Sequence, residues 1–423
     1  MASSTSRPRV PLRRVILVPI GLALLLHLVV LGRAWPQPER FMDRPDSTEY
    51  VALAANLLDG HGFSQAPRPP YEPDLRRTPL YPAVLAAAFA AGGRSPRVAA
   101  VLGVAIGLVT LVVLGAATKP GGWRMAAASV GLAASDLTSL AYHQMALTET
   151  MFALLLLSAV SLLLVRPARV PIGLSVGVLL GCATLCRPIA VALAPGLLLF
   201  YAWRARSGWR AALGEYLVLN VASGVVIGAW VLRNVATAGV LTLTAMGGVN
   251  MYLHRAAHVQ ATVSGRAVED VRAELQRTFD AQTSRMSERD KLRWLDERGR
   301  NAVVAHPGAY LEASVRGLAL MLGPDRDAMP QLLGFTPGSA RARAAAVVGW
   351  AQLLGFYAIA GLGAVRAWRG ASSREGLVLI GVVLVYFVAI GGPEMYPRFR
   401  MPLMPLVAIL GGCAFAEESR THA

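Results

Sequence analysis

VILVPIGLALLLHLVVLG, Val15 to Gly32, follows the basic leader MASSTSRPRVPLRR. A signal peptide and a first membrane span share this layout, and the length separates them. As a helix the run rises about 27 Å, enough to cross the hydrocarbon layer. No small-residue cleavage site follows, since the chain continues GRAWPQPER. The stretch therefore predicts an uncleaved first span with a cytoplasmic N-terminus.

The rest of the chain follows that lead. Of 423 residues, 55% are hydrophobic, more apolar surface than a soluble chain could cover. The net charge of +16 does not point to nucleic acid, because the excess arginine lies in short segments between apolar runs. Cys182, Cys186 and Cys413 all fall inside apolar runs, with neither a disulfide framework nor a metal-ligand spacing.

Ten spans are predicted, at 15–32, 98–117, 124–141, 147–165, 170–186, 188–203, 213–232, 344–365, 375–391 and 400–416. Pro79 to Gly92 is apolar but short and suits an interfacial helix. Alternation from a cytoplasmic N-terminus puts Arg7, Arg9, Arg13, Arg14, Lys119, Arg124, Arg166, Arg169, Arg204, Arg206, Arg210, Arg366, Arg369 and Arg374 inside. The short outer segments then hold only Arg187, Arg398 and Arg400, as the positive-inside rule requires. The expected organisation is a basic tail (1–14), a transmembrane core (15–232) with a first outer loop (33–78), an outer loop (233–343), C-terminal spans (344–416) and a short cytoplasmic tail (417–423). Val271, Leu275 and Phe279 recur at helical spacing in the second loop and predict amphipathic helices there.

The first outer loop carries RPDSTEYVALAANLLDGHGFS, Arg44 to Ser64, and places Asp43, Asp46 and Glu49 close together. Asp46 and Glu49 have the spacing of a capping box, with Gly60 as the helix stop. The same acids suit a second use: taking a proton from an acceptor hydroxyl, or holding a divalent cation beside a lipid phosphate. Arg76 and Arg77 precede TPLYP, Arg187 and Arg233 end outward spans, and Arg398 and Arg400 begin the last span. Arginine is the side chain suited to bidentate capture of phosphate, although each alone also fits an interfacial arginine reaching for headgroups. Glu149 lies at the outer end of the fourth span, where a helix first turn also favours an acid. Asp136 lies within the third span and raises a functional question by its place alone.

These elements, in order, resemble the bacterial glycosyltransferase family 39 group, protein O-mannosyltransferase-like enzymes of the GT-C superfamily. DSTEYVALAANLLDGHGFS is similar to the family's first-loop aspartate and helix, and RTPLYPAVLAA to its Arg-x-Pro-x-Tyr-Pro element. LTETMFALLLL, LLGCATLCRPIAVALAP, AWVLRNVATAGVLTLTAMGGVNMY, AVVAHPGAYL and YPRFRMPLMPLVAIL complete the series. The resemblance implies an all-α GT-C-type bundle that takes a sugar from a polyprenyl-phosphate donor at the outer face of the plasma (inner) membrane. The acceptor would be a cell-envelope glycan, lipid or protein. It implies Asp46 and Glu149 as catalytic residues, with Asp46 as general base or metal ligand. Donor binding would fall to Arg77, Tyr81, Arg187, Arg233, Asn250, Arg398 and Arg400, and a divalent cation to Asp46 and Glu49. One departure is that many relatives carry Asp-Glu adjacent in the first loop, whereas here Ser47 follows Asp46 and the acid comes later, at Glu49. A polyprenyl-lipid transporter is the main rival. It predicts charges or broken helices at mid-membrane and some repeat symmetry, and apart from Asp136 the sequence shows none of these. A noncatalytic subunit of the same architecture is the other rival.

Overall fold

A computed structural model describes residues 12–43, 45–370 and 374–417. Residues 1–11 of the expected basic tail and 418–423 of the expected C-terminal tail lie outside it. Among the described residues every regular element is helical. That is the answer a hydrocarbon solvent imposes, because a helix satisfies its backbone N–H and C=O groups within one segment.

In chain order, α1 (Leu12–Ala34) leads to α2 (Asp46–Leu58) and α3 (Leu80–Gly92), then α4 (Pro96–Thr118), α5 (Trp123–Ser135) and α6 (Leu137–Tyr142). Then come α7 (Glu149–Val165), α8 (Val170–Cys186), the short α9 (Leu193–Gly196) and α10 (Leu198–Arg204), and the long α11 (Trp209–Ala238). The second loop contains α12 (Met246–Val249), a π-helix (Asn250–Ala256), α13 (Ala257–Ser264), α14 (Val268–Thr283), α15 (Glu288–Ala305), α16 (Pro307–Leu322) and α17 (Ala328–Leu333). The chain closes with α18 (Ala340–Arg369), α19 (Arg374–Gly391), α20 (Pro397–Arg400) and α21 (Met404–Cys413).

Six segments are long and apolar enough to span: Ile16–Ala34, Pro96–Gly121, Pro188–Ser207, Trp209–Ala238, Ala340–Arg369 and Arg374–Glu394. Of the other four expected spans, α7 and α8 are 17-residue apolar helices, each rising about 25 Å. The remaining two are broken. At 124–141 the helix stops at Ser135, and Asp136 turns the chain in extended conformation. Its Oδ2 then caps α6, accepting from the Ser139 N–H at 2.8 Å and the Ser139 hydroxyl at 2.5 Å. This gives the buried Asp136 a structural task. At 400–416 the chain passes from α20 through a 3-10 turn (Met401–Leu403) into α21. Pro402 and Pro405 lie at this change, and neither has an N–H for a helix ladder.

The bundle closes where small residues let backbones approach. Gly173, Gly177 and Gly181 form one stripe of α8 facing α11. A methyl group there would run into the Glu215 carbonyl, the Leu219 carbonyl and the Val226 side chain respectively. At the same end of α11 the fully buried Glu215 accepts from the Arg169 N–H (2.6 Å), the Tyr201 hydroxyl (2.8 Å) and Arg204 (3.2 Å), tying α8, α10 and α11 together. At the other end α11 delivers Arg233 to the loop that follows α2. Over this end lies the second loop. Val271 and Leu275 of α14 and Leu295 of α15 are buried against Tyr252 and Leu253 of the π-helix.

Candidate functional site

The site is built where α2 begins. The capping-box expectation fails there: Pro45 occupies the N-cap position and offers no side-chain bond, and Asp46 is the first helical residue. Its carboxylate is therefore free for other partners. Gly60 does end the helix as expected, at φ +76°. Just before α2, the Asp43 N–H donates to Ser47 Oγ and the Asp43 carbonyl accepts from the Ser47 N–H, both at 2.8 Å. These bonds fix the chain on which Asp43 and Asp46 sit.

Four carboxylates and three guanidiniums interlock around this point. Asp46 Oδ1 accepts from Arg77 at 2.5 Å, and Oδ2 accepts from Arg398 at 2.6 Å. Arg77 Nε donates to Glu49 at 2.5 Å, and Nη1 reaches the Tyr50 hydroxyl at 3.4 Å. Arg398 Nη1 donates to Asp43 Oδ2 at 3.0 Å, and its Nε pairs with Glu149. Arg187 pairs with the same Glu149 oxygen and donates to the Thr148 hydroxyl at 3.0 Å. Arg76 lies 3.6 Å from Glu49 at the exposed rim. Glu149 is wholly buried, whereas the Asp46 and Asp43 side chains are 25% and 35% exposed. A buried charge is tolerable only when paired in this way.

Sequence-distant elements thus converge. The start of α2 supplies Asp46 and Glu49, the approach to α3 supplies Arg77, the start of α7 supplies Glu149, the end of α8 supplies Arg187, and α20 supplies Arg398. Tyr81 packs edge-on to Tyr50 beneath them, with ring centroids 5.3 Å apart. Arg187 also lines a small cavity of about 20 Å³ with Phe152, Ile189, Phe387, Met395 and Phe399. Burial opposes the charge on Asp46, but Arg398 and Arg77 outweigh it and hold the carboxyl well below the ordinary carboxylate range. Asp43 goes the other way, because burial raises it more than Arg398 lowers it.

Three expected binding residues lie outside this cluster. Arg400 is buried and donates to the carbonyls of Met321 and Gly323 and to the Thr138 hydroxyl, so its guanidinium holds α16 and α6 together. Arg233 donates to the Asp74 and Phe63 carbonyls and lies over the Phe63 and Trp230 rings. Asp74 in turn accepts from the N–H groups of Arg76 and Arg77, so Arg233 supports the loop that presents Arg77. Asn250 opens the π-helix and is half-buried. The residue that spacing did not single out there is His254. It senses the Asp46 charge, while burial and then Arg272 push its imidazole down to about 4. Its H-x-x-x-H spacing to His258 was the available signal, and π-helical turns often re-aim side chains at functional sites.

The cation expected at Asp46 and Glu49 does not fit this donor set. Both carboxylates are spent on Arg77, and among the described residues no three His, Cys, Asp or Glu side chains gather as ligands.

No family model and no curated protein matches the chain. Solved structures do. The archaeal oligosaccharyltransferase AglB from Archaeoglobus fulgidus, in complex with an inhibitory peptide and a dolichol-phosphate, aligns over 94% of this chain at 13% identity and TM-score 0.56. The same protein in complex with Zn and sulfate aligns over 93% at 12% identity and TM-score 0.52. This chain spans about half the length of that protein, 50% and 48% in the two structures. ArnT from Cupriavidus metallidurans bound to undecaprenyl phosphate aligns over 95% of this chain and 77% of its own at 15% identity and a lower TM-score of 0.44. The chain therefore shares the fold of that oligosaccharyltransferase's aligned half, an all-α bundle with six helices long and apolar enough to cross a membrane.

Proposed function

We propose that this chain is a membrane glycosyltransferase that moves a sugar from a polyprenyl-phosphate donor to an acceptor hydroxyl. The site would face the extracytoplasmic side of the plasma membrane, with both termini in the cytoplasm. The observation that carries the reading is the interlocked cluster itself: Asp46 and Glu149, from helices far apart in sequence, joined through Arg398 with Arg77 and Arg187 on either flank. An inert bundle gains little from such an arrangement, because an apolar core of the same volume is usually as stable as a buried ion-pair network. A dolichol-phosphate was bound to the oligosaccharyltransferase of the same fold. That supports a lipid phosphate as the donor class here.

The chemistry follows from the charges. The acceptor oxygen attacks the anomeric carbon as a carboxylate of the cluster takes its proton. The bond from that carbon to the phosphate oxygen breaks, and the phosphate leaves with the electron pair. Arg187 is the guanidinium suited to meet that growing charge, since only its Nη1 is engaged by Glu149 and Thr148. Asp46 and Glu149 hold the arginines in position before the charge develops, so no reorganisation is needed during the reaction. Asp46 and Glu49 bind no cation in this scheme.

The test is transfer. Purified protein in lipid bilayers is given polyprenyl-phospho-sugars labelled in the sugar, with membrane extract as the source of acceptors. Label is expected to appear on an extract component, and Asp46→Asn, which frees Arg77 and Arg398 from their shared anion, is expected to lower the transfer by weakening donor binding. Protein that binds the lipid yet moves no label from any donor would shift the reading to a lipid transporter or a noncatalytic subunit.

A further inference from the structure

Which carboxylate takes the acceptor proton is a question that the cluster's hydrogen bonds answer, given the transferase reading above, on which this inference rests. Asp46 has no oxygen to spare, because Oδ1 is held by Arg77 and Oδ2 by Arg398. Glu149 is fully buried, with one oxygen shared by Arg187 and Arg398 and the other 3.5 Å from the Thr148 hydroxyl. Glu49 gives Oε2 to Arg77 and has Oε1 beside Arg76. Asp43 differs from all three. Only its Oδ2 is engaged, by Arg398 at 3.0 Å; among the described residues Oδ1 has no partner, and the side chain is 35% exposed.

We propose that Asp43 is the general base of this site and that Asp46 is the fixed anion that positions Arg77 and Arg398. Asp43 Oδ1 accepts the proton of the acceptor O–H, the acceptor oxygen bonds to the anomeric carbon, and the carbon–phosphate oxygen bond breaks with its electron pair on the phosphate. The proton on Asp43 then passes to solvent. The main chain of Asp43 is held by its two bonds with Ser47, so the carboxylate is aimed without being saturated. The charged groups that Asp43 feels are Arg398 on α20, Asp46 on α2 and Glu149 on α7. Burial with two acidic neighbours raises its affinity for a proton, whereas Asp46 is held ionised, so of the two first-loop acids Asp43 is the better base. Protonation of Asp43 also removes one anion from Arg398 as the phosphate gains charge. Base and electrostatic support are thereby linked through a single guanidinium.

The experiment is steady-state transfer by wild type, Asp43→Asn, Asp43→Glu and Asp46→Asn across pH, with donor-lipid binding measured on each as the test of folding. A general base contributes roughly 10²- to 10⁴-fold. Asp43→Asn is therefore expected to lower kcat by about 10²-fold or more while binding donor as the wild type does, and to lose the acid limb of the pH profile. Asp43→Glu is expected to restore part of kcat and a limb. Asp46→Asn is expected to weaken donor binding while keeping the limb. An Asp43→Asn protein with near wild-type kcat and an intact limb overturns the assignment and leaves the transferase reading standing. So does loss of the limb in Asp46→Asn alone, or an Asp43→Glu protein that binds donor but recovers nothing. A wild type that transfers no sugar overturns both.

Discussion

Replacing Arg398 by alanine removes the one side chain that touches Asp43, Asp46 and Glu149 together. The three losses are unequal. Glu149 has no exposed surface, and stripping a buried charge of its partner costs roughly 3–5 kcal/mol. Arg187 stays on the same oxygen, so about half of that is expected, ~2 kcal/mol. Asp46 keeps Arg77, and Asp43 at 35% exposure is screened by solvent, so together they add at most ~1 kcal/mol. The expected total is about 3 kcal/mol of stability, read from denaturant titration in mixed micelles. The decisive control is the cycle with Glu149→Gln. If the pair is coupled as the geometry says, the double variant is less unstable than the sum of the singles by ~1–2 kcal/mol. Additivity within about 0.5 kcal/mol would refute the reasoning, because independent sites behave that way.

Three further outcomes are expected. Asp46 is held below its ordinary value of 3.8, so the stability it contributes is present above that value and lost as pH falls through the folded one. The wild-type thermal midpoint should accordingly fall more steeply below about pH 4 than that of Asp46→Asn. Gly177→Val drives a side chain into the Leu219 carbonyl and should cost ~1–3 kcal/mol by prying α8 from α11; detergent-phase thermal unfolding reads it, and an unchanged midpoint contradicts the packing. Arg400→Lys loses the fork that serves two carbonyls and Thr138, so stability should fall while donor KM in the surviving fraction stays put. A selective rise in KM would return Arg400 to the binding site.

The sequence exposed the bundle but not its breaks, and the physical reason is averaging. Hydropathy over 124–141 stays high across Asp136 because one capped aspartate barely alters an eighteen-residue mean, yet it ends one helix and starts another. Pro402 and Pro405 were better warnings for the last span. Within the site, the motifs located Asp46, Glu149, Arg77, Arg187 and Arg398, which meet, but could not separate Arg398 from Arg400. Two positions on a helix differ by about 200° around the axis, and that rotation sends one guanidinium to the carboxylates and the other to backbone carbonyls. The spacing of Asp46 and Glu49 satisfied a capping box, but Pro45 had already taken the N-cap place and left the aspartate to the arginines. Asp43 received no role from spacing, since its free oxygen depends on which acids Arg398 and Arg77 occupy. The π-helix that carries His254 left no periodic trace either, being a single wide turn in a short segment. The glycine stripe of α8 was legible at four-residue spacing and needed only α11 as its partner.

The central claim is that this arginine–carboxylate cluster breaks a sugar–phosphate bond. Its most direct measurement is the release of free polyprenyl phosphate, by mass spectrometry, from a panel of polyprenyl-phospho-sugars in bilayers supplied with acceptor extract, for wild type beside Arg187→Ala. The account predicts release from at least one donor by the wild type and its near loss in the variant. Equal release by both proteins, or none by a wild type that still binds the lipid, would contradict it.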